Sequence, residues 1–241
     1  MGGDFVDVAE QNLKIDNLRR IHSLEEGRNQ VLRLVARGEG LDTVLNLLCE
    51  KAQIYSPEMF CSILCFNPKT KTLHPAASVS LPKAYCEALD GVKIGSGVGS
   101  CGTAAFLKET VIVEDINTHP YWNQYKPLAL SHGLQACWSE PIVGGDGRVY
   151  GTFAMYYAEP RRPNDEDLKF IEVSANLAAV VFENNENKQK LLEANNRLSQ
   201  TVDKRTYELE QANLQLEQAF NEQQKLHIGH INEQKMLTTN R

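Results

Sequence analysis

The sequence holds no run near the roughly 18 apolar residues of a membrane-spanning helix. Its first residues, Met1-Gly2-Gly3-Asp4-Phe5, have neither the basic nor the apolar region of a secretory leader. A soluble, cytoplasmic protein is expected. Positive charge is not in excess either. The 25 Lys and Arg residues face 31 Asp and Glu, for a net charge of −6, which supplies no field for a phosphate backbone and argues against a nucleic-acid partner. Cysteine is scarce and irregularly spaced: Cys49, Cys61, Cys65, Cys86, Cys101 and Cys137 include no Cys-x-x-Cys pair to anchor zinc. Reduced thiols packed as small apolar groups are expected. The six histidines form no cluster with metal-ligand spacing, so no metal site is expected.

Proline is absent outside the interval Pro57 to Pro163, and all the cysteines lie between Cys49 and Cys137. Since proline breaks helices and punctuates strands and turns, that interval predicts a mixed α/β body flanked by helices. With 241 residues, 42% of them hydrophobic, one or two domains with an ordinary core are expected. Residues 1–40 read as an N-terminal helical segment, with a kink at Gly27. A second helix, Leu41 to Tyr55, buries Leu41, Val44, Leu45, Leu48 and Ala52 on one stripe. Strands are predicted over Met59–Phe66, Leu73–Val79, Val111–Ile116, Leu134–Val143 and Val149–Tyr157. Gly144-Gly145-Asp146-Gly147 makes a tight hairpin between the last two. Two long stretches, Leu81 to Thr110 and Asn117 to Gly133, exceed ordinary loop lengths and are where a ligand is expected.

A last helix starts at Asn164-Asp165-Glu166-Asp167, with capping and dipole chemistry suited to a helix N-terminus. It carries a heptad pattern through residues 184–241. Leu191 and Leu198 stand at one seam position and Val202, Leu209 and Leu216 at the other, with Asn195 and Arg205 interrupting. A pattern sustained over about five heptads predicts a parallel coiled coil and a homodimer.

Four motifs occur in order: Ile94-Gly95-Ser96-Gly97-Val98-Gly99-Ser100-Cys101-Gly102-Thr103-Ala104-Ala105, Val111-Ile112-Val113-Glu114-Asp115-Ile116, Gly133-Leu134-Gln135-Ala136-Cys137-Trp138-Ser139-Glu140-Pro141-Ile142, and Gly151-Thr152-Phe153-Ala154. Together they resemble a bacterial GAF sensor domain over residues 41–183. The resemblance implies an α+β, GAF-like fold. Its antiparallel sheet has about six strands, with helices on one face and a small-molecule pocket on the other. Thr201-Val202-Asp203-Lys204-Arg205-Thr206-Tyr207-Glu208-Leu209 is similar to the signalling helix joining such sensors to histidine-kinase or diguanylate-cyclase output domains, as in two-component systems. The 241 residues contain no His-Glu phosphoacceptor box, ATP-binding glycine pattern or cyclase motif. The expectation is a non-catalytic input domain with its output domain elsewhere in the same polypeptide.

The glycine run from Gly95 to Gly102 fits neither a P-loop nor a dinucleotide fingerprint and reads first as a turn, second as pocket wall. Pocket candidates are Cys101, Thr103, His119, Trp122, His132, Cys137, Trp138 and Ser139, with Tyr125, Phe153 and Tyr157 as further apolar wall. On the strand from Leu134, Ala136, Trp138, Glu140 and Ile142 alternate with Gln135, Cys137, Ser139 and Val143. Which set faces the pocket is open. Some GAF proteins bind haem through one histidine, which keeps His119 and His132 in view; the cofactor is otherwise unassigned. Others reduce free methionine sulfoxide with cysteines, so Cys101 and Cys137 carry that alternative. A ligand-free dimerisation scaffold is the third.

Overall fold

The computed structural model describes His22 and residues 24–239. Most of the expected N-terminal helix, residues 4–21, lies outside the described residues. Residues 24–37 form a helix (α1) that runs through Gly27 without interruption, and Leu41–Tyr55 form α2, with Val44, Leu45, Leu48, Cys49 and Ala52 buried. The strands are β1 (Phe60–Asn67), β2 (Thr72–Ser78), β3 (Val92–Lys93), β4 (Val111–Val113), β5 (Ala136–Val143) and β6 (Val149–Tyr157). Every pairing is antiparallel, and the order across the sheet is β3-β2-β1-β6-β5-β4. The two long stretches carry α3 (Lys83–Ala88), α4 (Gly99–Leu107), a short 3-10 helix (Pro120–Trp122) and α5 (Lys126–Ser131).

The sheet divides the core in two. On one face, Cys61, Ile63, Ala136, Trp138, Ile142, Phe153 and Met155 pack with residues of α1, α2 and the last helix, α6 (Asp165–Thr239). On the other, Leu64, Cys137, Ala154 and Tyr156 pack with α3, α4, Trp122 and Leu134. The period-two alternation of each strand therefore sorts its side chains between a helix layer and the crossover layer.

Two predicted strand boundaries shift, and one short strand was not predicted. The strand predicted over Val111–Ile116 stops at Val113, because Asp115 takes up the chain: its Oδ1 accepts from Asn117 N–H at 2.8 Å in an Asx turn. The strand predicted from Leu134 begins at Ala136. The short β3 bears no periodicity that a sequence could show.

The start of α6 carries reciprocal caps. Asn164 Oδ1 accepts from Asp167 N–H at 2.8 Å, and Asp167 Oδ2 accepts from Asn164 N–H at 3.1 Å. Replacing Asn164 by Ala is expected to cost about 1 kcal/mol, read as a lower urea midpoint of the tryptophan fluorescence, both tryptophans lying in this domain.

The described residues divide into two compact units, the first ending at Glu186 and the second beginning at Asn187. In the second, Leu191, Leu198, Val202, Leu209 and Leu216 are all exposed, as are Leu192, Tyr207, Leu214 and Phe220. No helix among the described residues is long and apolar enough to cross a membrane.

Candidate functional site

The site lies on the crossover side of the sheet, where α4 covers β5 and β6. Helix α4 starts within the glycine run. Gly99, at φ +57°, takes a left-handed conformation that a side chain would strain, and it lets the chain turn into the helix. Gly97 N–H donates to Thr103 Oγ1 at 3.1 Å, and Thr103 Oγ1 donates to Gly99 O at 2.6 Å. The run is thus turn and pocket wall at once.

Beside α4 is a small cleft with about 30 Å³ of free space. Tyr85 and Leu89 wall it from the α3 side, Trp122 and Tyr125 from the 3-10 side, and Cys101 and Tyr156 lie deeper. Trp122 is fixed by its Nε1, which donates to Ser100 Oγ at 3.0 Å, while Ser100 Oγ donates to Cys137 O at 3.0 Å. That chain ties the 3-10 helix to α4 and α4 to β5. Tyr85 and Tyr156 meet edge to face, centroids 5.7 Å apart. An effector larger than a water molecule needs α3 or the 3-10 segment to move away from α4.

Of the predicted pocket residues, the structure brings together Cys101, Trp122, Cys137 and Ser139. Cys101 lines the cleft, and Cys137 and Ser139 lie under it, fully buried. Thr103 is buried but committed to the turn. His132 is not among the residues lining the cleft; its ring lies 5.5 Å from that of Tyr85 and its Nδ1 is 2.9 Å from Leu128 O. His119 is used locally: its Nδ1 accepts from Tyr121 N–H at 3.3 Å as a cap of the 3-10 helix.

Trp138 is not in the pocket. It packs in the helix-side core, with Nε1 donating to Arg161 O at 3.2 Å and its ring 4.6 Å from Tyr157. Phe153 and Tyr157 share that face. The reason is the alternation of β5: Cys137 and Ser139 point to the crossover side, which sends Trp138 to α2 and α6. Tyr85, Ser100, Thr152 and Tyr156 are site residues that the sequence reading missed. Ser100 and Thr152 stand within the quoted motifs but were not singled out, and Tyr156 lay only within a predicted strand.

The thiols differ in charge state. Cys101 is brought down to about 7, chiefly by hydrogen bonding with Cys137, against the opposing effect of burial, and with help from Ser139, Tyr156 and Thr152. Burial pushes Cys137 up, and the neighbouring Cys101 adds to it. Cys101 also sits in the first turn of α4, where free amides and the helix dipole favour an anion. No group of residues suited to a metal ion occurs among the described residues.

Across the end of α4, Lys108 Nζ donates to Gly147 O of the β5–β6 hairpin at 2.7 Å. The same hairpin holds α6. Gly145 N–H donates to Glu183 Oε1 at 2.7 Å, Arg148 Nη1 donates to Glu186 Oε1 at 3.0 Å, and Tyr150 hydroxyl donates to Glu186 Oε2 at 3.0 Å.

The family model for the GAF domain matches residues 38–183, and the chain belongs to that family. A methyl sulfide methyltransferase-associated sensor from the archaeon Methanosarcina acetivorans is 35% identical over 191 residues, which is 79% of this chain and 19% of the relative. The chain thus spans about a fifth of that relative's length. Among solved structures, the GAF domain of a phosphoenolpyruvate-protein phosphotransferase from Coxiella burnetii superposes with TM-score 0.57 at 18% identity, covering 70% of this chain and 98% of that one. A free methionine-R-sulfoxide reductase from Neisseria meningitidis superposes with TM-score 0.56 at 18% identity, covering 68% of this chain and 91% of that one. These two likenesses share the fold.

Proposed function

We propose that this chain is the input segment of a longer signalling protein. The domain of residues 41–183 takes a small-molecule effector between α3 and α4. Residues 184–241 pair with a second copy as a parallel coil that leads to an output domain in the same polypeptide, a histidine kinase or a cyclic-di-GMP enzyme. The observation that carries the reading is the exposed row Leu191, Leu198, Val202, Leu209 and Leu216. Leucines and valines at heptad spacing are kept in water only at a cost that a facing helix removes. The sensor name of the Methanosarcina relative supports a sensory role. An effector acts here only through unequal affinity for two arrangements of the domain, a coupling typically worth about 1–3 kcal/mol.

The test is native mass spectrometry and an absorption spectrum of the full chain as purified. A dimer carrying a bound small molecule is expected. A Soret band lost in His132→Ala would make that molecule a haem. A monomer at micromolar concentration would overturn the coil, and a dimer that takes up no metabolite would reduce the domain to a scaffold.

A further inference from the structure

Among the described residues that line the cleft beside α4, none is lysine, arginine, aspartate, glutamate or histidine. Leu64, Leu89, Val92, Val98 and Leu128 supply apolar wall. The charges carried by the α3 side turn to water or to each other. Lys83 Nζ lies 3.5 Å from Glu87 Oε1, with both side chains well exposed, and Asp90 Oδ1 lies 2.7 Å from His74 Nδ1.

Two hydroxyls in the same lining are left short of partners. Tyr85 is fully buried, yet its hydroxyl has no hydrogen-bond partner of good geometry among the described residues. The Tyr156 hydroxyl is loosely held, with Ser62 Oγ at 3.5 Å and Cys101 Sγ at 3.8 Å. A buried hydroxyl without a partner costs about 1–3 kcal/mol. A ligand atom able to accept its proton removes that cost.

On the reading that an effector enters between α3 and α4, we propose that it is an uncharged, largely apolar molecule whose hydrogen-bond acceptor, such as a carbonyl or amide oxygen, takes the proton of the Tyr85 hydroxyl. An ion buried without a partner costs several kcal/mol. The N-terminus of α4 returns only about 0.3–1 kcal/mol to an anion, so desolvation wins. A phosphate ester, or a zwitterion such as free methionine sulfoxide, is therefore disfavoured in this cleft. A neutral molecule leaves no charge unpaired, gains from the apolar wall, and completes the one hydroxyl that folding left open.

The test adds benzamide, benzoate, benzylammonium and toluene, each at millimolar concentration, to the full chain. The probes share one shape, so the opening that admits them is common to all and the comparison reads charge and hydrogen bonding. The measurement is made below about pH 7, where Cys101 is held as the thiol. Nitrogen-correlated proton NMR follows the indole N–H signals of Trp122, which lines the cleft, and of Trp138, which lies on the helix side and is the internal control. Benzamide is expected to move the Trp122 signal and leave that of Trp138, with affinity at least about tenfold above benzoate and benzylammonium. Tyr85→Phe keeps the ring and removes the hydroxyl. It should weaken benzamide about fivefold, leave toluene unchanged, and raise the urea midpoint of the free chain, since an unpaired buried group is gone. Benzoate or benzylammonium bound as tightly as benzamide would overturn the proposal while leaving the effector site standing. Benzamide affinity unchanged in Tyr85→Phe would do the same. A Trp122 signal that none of the four probes moves would overturn the site itself, and the proposal with it.

Discussion

A chain ending at Glu186 is expected to sediment as a folded monomer where the full chain sediments as a dimer. The cut belongs there because Glu186 still receives the Arg148 and Tyr150 bonds, so the first unit keeps its grip on its own last helix. What is lost is the row of exposed apolar side chains from Leu191 to Leu216. Within the full chain, Leu209→Asp places two carboxylates at one seam layer of a two-stranded coil. Each would be desolvated beside leucine or would pull the layer open. A dimer weakened at least about tenfold, near 1.4 kcal/mol, is expected by analytical ultracentrifugation, with unchanged circular dichroism from the first unit. If association survives both changes, the interface lies on the globular part.

The second large effect is at Gly151. This residue pairs with Cys65 at the junction of β1 and β6, the two central strands. A Cβ there would fall 1.9 Å from Leu64 O and 2.9 Å from Leu64 C. Backbone atoms in the middle of a sheet have nowhere to go, so Gly151→Ala forces the strands apart. A loss of about 3 kcal/mol is expected, seen as a sharply lower urea midpoint or as failure to accumulate soluble protein. Gly40→Ala is the control. Gly40 has an ordinary backbone conformation and open space at its Cβ, and as an N-cap its change to Ala should cost about 0.5–1 kcal/mol. Comparable losses at both positions would mean that strand crowding is not the cause.

The sequence was legible where a physical rule leaves one choice. Apolar periodicity placed α2, and the glycine-rich tetrapeptide before Val149 placed the β5–β6 hairpin. Alternation on β5 split the strand correctly into two sets, yet both sets contain residues fit for burial. Only the packing of α2 and α6 over Trp138, and of α4 over Cys137 and Ser139, decides which set faces the site. Large aromatic side chains made Trp138, Phe153 and Tyr157 attractive as pocket wall, whereas on β5 the crossover side takes the smaller residues Cys137 and Ser139. Tyr85 escaped notice because α3 is only six residues long and shows no stripe. The start of α4 at Gly99 was hidden because glycine is a poor helix former, and the left-handed φ needed there outweighed propensity.

The polar ties from Lys108 to Gly147, and from Gly145 and Arg148 to Glu183 and Glu186, lie on the outside of the domain. They join the β5–β6 hairpin both to the end of α4 and to the first part of the last helix. Because these ties face water, salt weakens them, and breaking them uncovers none of the buried core, so the attachment of the start of the last helix to the hairpin is a contact that ionic strength can tune.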